Sequence, residues 1–150
     1  MEVHAKNVDF IDIVDASGNA AGRLYFIPCD VGIVSRVQEL TQLYPLLVEE
    51  VRPLNLYDDG TAHTAHTEDT EKLHEAETRL YNALDYACGV VTAQEAFKQY
   101  RPFAVVDGEL WLTRVVQAIA KVMPRIEARI YEISRTAWSG NKKTLWRKRR

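Results

Sequence analysis

Three of the four histidines, both cysteines and a terminal run of cations are the side chains in this 150-residue chain whose types and spacing could support chemistry. His63, His66 and His74 lie near Glu68, Asp69 and Glu71. Imidazole and carboxylate ligands hold zinc when they converge on one point. Here His63 and His66 sit in a stretch of threonine and alanine at residues 61–67, with no HExxH pattern and no cysteine beside them. The expected reading is a solvated polar loop between helices, with no metal and no cofactor.

Nucleophiles offer no more. Cys29 and Cys88 form no CxxC pair. Two reduced, buried thiols are expected, since an isolated cysteine behaves as a small hydrophobe. Cys29 precedes Asp30 and a helix start, where a thiolate can be stabilised. Its place after Phe26-Ile27-Pro28 instead suggests a buried link between a sheet and a helix. G-x-S-x-G is absent, and so are the glycine-rich loops that cradle phosphates. The expectation is a protein that is not an enzyme.

Charge is the clearest physical signal. Net charge is −2, yet residues 142–150 hold six cations and no acid, which leaves 13 basic and 21 acidic residues, or −8, on residues 1–141. Trp146, Arg147, Lys148, Arg149 and Arg150 mix an aromatic ring with cations. Such a segment can neutralise phosphates and stack on a base, steer an acidic protein partner, or simply end the chain as a flexible tail. The acidic body repels a phosphate backbone, which favours a protein contact over nucleic acid. The N-terminus shows no signal-peptide pattern, and no apolar run is long enough to span a membrane. A soluble, intracellular protein is the expectation.

The elements that would position these groups are mostly helical. Residues 7–27 read as a β-hairpin: two β-branched and aromatic runs flank Ser17-Gly18-Asn19. The loop is too long to fix a register. Asp30 is a plausible N-cap for a helix over about 31–52, with Val31, Val34, Val37, Leu40, Leu43, Leu47 and Val51 on one stripe. Pro45 should kink or restart it near Tyr44. Asp58-Asp59-Gly60 signals a turn. A second helix, about 69–88, carries Leu73, Ala76, Leu80, Leu84 and Ala87, with Gly89 as its stop. Thr92 and Glu95 have capping-box spacing and open a short helix over about 93–100. An extended piece and a turn at Asp107-Gly108 lead into a helix over about 110–138, striped by Trp111, Val115, Ile119, Val122, Ile126, Ile130 and Ile133 and bent by Pro124. The predicted fold is α+β and mostly α: one domain over residues 1–141, a small N-terminal hairpin, a bundle of about four helices, and a basic, flexible tail over 142–150.

The order of these pieces is similar to one known family. Gly22 to Pro28, then Asp30 and a long helix, resembles the start of small tail proteins of long-tailed bacteriophages. Leu84-Asp85-Tyr86-Ala87-Cys88-Gly89, then Gln94-Glu95-Ala96-Phe97, Pro102-Phe103, and Trp111 leading into Val115-Val116-Gln117-Ala118-Ile119, resembles the tail assembly chaperone family. The likeness is one of apolar spacing over roughly residues 7–135. It implies a non-enzymatic phage or prophage chaperone that binds the tape-measure protein and tail-tube subunits during tail assembly.

The stripe beginning at Trp111 carries more apolar residues than one small sheet needs, so a second helix or a partner must cover part of it. Trp111, Val115 and Ile119, with the tail residues Trp146 to Arg150, are therefore the candidate partner-binding positions. A homo-oligomer is compatible with this reading. A minor structural or connector protein of the phage particle, or a nucleic-acid-associated regulator using the tail, are the alternatives.

Overall fold

Alternation along DFIDIV and AAGRLYF builds the first element. β1 (Asp9–Val14) and β2 (Ala20–Phe26) pair antiparallel, with Asp9 opposite Phe26, Ile11 opposite Leu24 and an irregularity between Ile13 and Val14. Asp15 fixes the turn: its carboxylate accepts from the Ser17 and Asn19 amides at 3.0 Å each, and Gly18 takes a positive φ. Ile13, Leu24 and Phe26 face inward and are buried. Phe10, Asp12 and Val14 face outward. The computed structural model describes residues 8–28, 31–63 and 67–149, and for residues 133, 134 and 136–149 it describes the backbone alone.

Helices α1 (Ile33–Val51) and α2 (Thr67–Cys88) pack on one another. The expected faces are the buried ones: Val37, Leu40, Leu47 and Val51 on α1, and Leu73, Ala76, Leu80, Leu84 and Ala87 on α2. Val31 departs from the expected stripe and is exposed. The N-cap of α1 is Gly32, with no side-chain cap; Asp30 and Cys29 lie outside the described residues. Pro45 does not restart the helix, which continues across it. The ring faces solvent, while Leu40 and Leu47 on either side are buried. Packing thus offsets the lost backbone donor. Gly89 ends α2 as expected, with φ +74° and its amide on the Asp85 carbonyl at 3.0 Å.

The linker between these helices folds on itself. Leu56 bridges Ala62 around the Asp58-Asp59-Gly60 turn. Gly60 has φ +84°, and a Cβ there would come within 2.7 Å of the Ala104 amide, so only glycine fits. A one-turn helix α3 (Ala93–Ala96) follows Gly89.

The extended piece at residues 103–106 turns out to be half of a second hairpin, β3 (Val105–Val106) with β4 (Glu109–Leu110). Asp107 and Gly108, at φ +54° and +84°, make its turn. Asp107 also accepts from the Ala16 amide at 3.0 Å, which ties the two hairpins together.

α4 (Trp111–Arg149) runs beyond the end expected near Trp138. Its stripe is buried at Trp111, Leu112, Val115, Ile119, Val122 and Ile126, and partly at Ile130. Pro124 lies within it on the solvent side. The architecture is α+β, with an N-terminal hairpin followed by about four helices.

Candidate functional site

The expected contact residues of α4 are interior. Trp111, Val115 and Ile119 are 0%, 1% and 3% exposed. In the chain by itself these three side chains are packed into the core and present no open surface. The Trp111 indole donates to the Ala96 carbonyl at 3.0 Å and lies against Tyr100 with ring centroids 5.0 Å apart. The side chains of Trp146, Arg147, Lys148 and Arg149, and all of Arg150, lie outside the described residues, as does the expected flexibility of 142–150.

The capping box is corrected. Thr92 stands at the N-cap position, but its hydroxyl makes no cap bond. That oxygen instead accepts from the Tyr25 amide of β2 at 2.7 Å. Asp85 supplies the cap from the end of α2: its Oδ1 accepts from both the Thr92 and Ala93 amides at 2.8 Å. A carboxylate at a helix N-terminus meets donors that have no helical partner. One acid and one hydroxyl thus join α2, α3 and the hairpin. Gly22 completes the contact, since a Cβ there would lie 2.5 Å from the Ala96 carbonyl oxygen.

The stop at Gly89 has a second effect. It throws Val90 and Val91 off the helix axis beside Tyr86, around an open saddle of about 490 Å³ shared with Arg36 and Asp85. Tyr86 is 61% and Val91 67% exposed. The Arg36 guanidinium sits 5.6 Å from the centre of the Tyr86 ring, and its Nε donates to the Ala87 carbonyl at 3.4 Å. A cation at a helix C-terminus is favourably placed for those carbonyls. A mostly apolar saddle edged by one cation and one acid can hold an apolar side chain with a polar rim. Partner-site reasoning at the sequence level missed Tyr86, Val90 and Val91. Their signal was present: Tyr86 is off the Leu73–Ala87 face, and two β-branched residues follow a helix stop with no strand to join.

Three buried or partly buried titratable groups depart from their ordinary values. Glu77 is buried, and its Oε1 accepts from Arg101 at 2.9 Å while Oε2 has no partner. Burial pushes this carboxyl above its ordinary value, and Arg101 pulls the other way without cancelling it. Burial likewise raises Tyr81, whose ring stacks on Phe97 at 5.3 Å. Burial pushes the Cys88 thiol up to about 12, so it stays protonated at neutral pH. His63 stacks on Tyr57 at 3.9 Å; His66 lies outside the described residues. Among the described residues no group of three His, Cys, Asp or Glu side chains converges on a metal position, and no helix is long and apolar enough to cross a membrane. No protein-family model, curated protein or solved structure matches the chain.

Proposed function

We propose that this chain is a non-enzymatic tail assembly chaperone of a long-tailed phage or prophage, acting in the bacterial cytoplasm. It holds the tape-measure protein, and hands it to tail-tube subunits, through reversible apolar contacts. The observation that carries the reading is the open saddle of Tyr86, Val90 and Val91, which offers apolar surface at a helix end whose Ala87 and Cys88 are packed into the core. A client rich in amphipathic helix presents apolar side chains at three- and four-residue steps, and a groove of this kind takes one or two of them. Arg36 and Asp85 at the rim supply orientation and little affinity. The resemblance over residues 7–135 supplies the choice of client.

Co-expression with the tape-measure protein of the phage or prophage that encodes the chain tests this. The client stays soluble and the two co-elute. The double variant Tyr86→Ser, Val91→Ser keeps its helical circular dichroism and loses the complex. An insoluble client with no complex sinks the reading. Persistence of this chain in purified virions at structural stoichiometry also sinks it and would favour the connector alternative.

A further inference from the structure

We propose that the outer edge of β1 is a strand-addition site for an extended acidic segment of a partner protein. This inference does not rest on the chaperone reading or on its saddle. β1 has one neighbour, β2. The direction of its free backbone groups follows from three hydrogen bonds. Tyr25 gives its amide away from β1, to Thr92, and Tyr25 stands opposite Phe10. In an antiparallel ladder this makes Phe10 and Tyr25 a pair that exchanges no backbone bonds, so Phe10 and Asp12 direct their N–H and C=O groups outward. Consistently, the Phe10 amide is taken by the Asp9 carboxylate at 2.8 Å, and the Val14 carbonyl accepts from Arg114 Nη1 at 3.3 Å. Among the described residues the Phe10 carbonyl and both backbone groups of Asp12 have no protein partner.

A groove of about 310 Å³ runs along this edge between β1 and α4. Its floor on the α4 side carries Arg114, Gln117, Lys121 and Arg125. Lys121 has no acidic partner among the described residues. Arg114 lies 3.1 Å from Glu109, Arg125 lies 3.9 Å from Asp9, and Asp12 is paired with Arg23 at 3.0 Å. Counting the lining and these neighbours together, four cations face three acids, so the groove is net positive where residues 1–141 as a whole carry −8. An added strand would bond to Asp12 and turn every second side chain toward that floor. Acids at alternate positions satisfy both demands.

The test uses the full chain and fluorescein-labelled octapeptides in fluorescence anisotropy at about 0.1 M salt, where contacts beyond roughly 10 Å are screened. One peptide alternates glutamate with valine, one alternates lysine with valine, and one is the acidic peptide with two central valines replaced by proline. The acidic peptide binds at least tenfold tighter than either of the others, Lys121→Glu weakens it at least fivefold, and its binding slows exchange of the Asp12 amide. Equal binding of the proline peptide reduces the contact to charge alone and overturns the proposal. No binding of the acidic peptide overturns it too. A stable dimer that the acidic peptide cannot displace, with the Asp12 amide protected beforehand, assigns the edge to a second copy and equally overturns it. Lys121 is exposed, so its variant folds whatever the outcome.

Discussion

Along β2 the Tyr25 amide ends on the Thr92 hydroxyl, Gly22 touches the Ala96 backbone, and Ala96 in turn accepts from Trp111. Along β1, across the same hairpin, the Asp12 backbone meets only a groove edged by cations. One edge is sealed by buried groups in fixed positions, and the other is left to solvent or a visitor. The difference lies in burial. Thr92 is 0% exposed, so an unmet donor facing it would lose water with no replacement. Asp12 is exposed, and water serves. Edge strands that stay open usually carry charge to discourage unwanted pairing. On β1 Asp9 and Asp12 do so, with Arg23 of β2 and Lys121 of α4 beside them, and the same charges would select a partner.

The sealed edge is where the largest loss is expected. Trp111→Ala removes a fully buried ring and the hydrogen bond that holds Ala96 under the hairpin. It should cost about 3–5 kcal/mol, read by urea denaturation. A loss below 1 kcal/mol would show that the seal does not depend on this ring. Thr92→Val keeps the shape and removes the acceptor of the Tyr25 amide. An unpaired buried donor costs about 1–3 kcal/mol. Amide exchange at Tyr25 should accelerate while that at Asp12 stays unchanged, and equal changes at both would erase the distinction between the edges.

The sealed side also contains Glu77, whose folded pKa is raised above its ordinary value of 4.5. The sign follows from linkage. The folded state holds this proton more tightly than the unfolded state, so the contribution is fully present below 4.5 and is lost as pH rises through the folded value. One such group changes stability by at most about 1.4 kcal/mol per pH unit. Glu77→Gln should remove that slope from a stability-versus-pH profile above pH 4.5. An unchanged slope would place the titration elsewhere.

Much of this was legible in the chain. The stripe from Leu73 to Ala87, the stop at Gly89 and the turn at Asp58-Asp59-Gly60 are local consequences of spacing and backbone preference. The seal was not. Thr92 and Glu95 have the spacing of a local cap, yet the Thr92 hydroxyl is claimed by a strand 67 residues away and Asp85 takes its place. Periodicity assigns Trp111, Val115 and Ile119 to one face but is silent on how much of that face the rest of the chain covers. β3 and β4 are two residues each, too short for alternation to register. The saddle escaped because Tyr86 and Val91 break the apolar pattern, and residues that break a pattern are read as surface before they are read as sites.

The smallest effect is expected on the outer face of the open edge. Phe10 is 45% exposed, with the Tyr25 ring at 5.9 Å and the Arg23 guanidinium 4.0 Å above its centre. Such cross-strand contacts are worth about 0.2–1 kcal/mol each. Phe10→Ser should therefore cost on the order of 1 kcal/mol in denaturant unfolding, and the cost should be the same at micromolar and at hundredfold higher protein concentration. Concentration independence follows because an uncovered face has nothing to lose from dilution. A loss several times larger that grows with protein concentration would mean that Phe10 is buried against another copy in solution, and the contrast between a sealed β2 edge and an open β1 edge would then hold for the isolated chain alone.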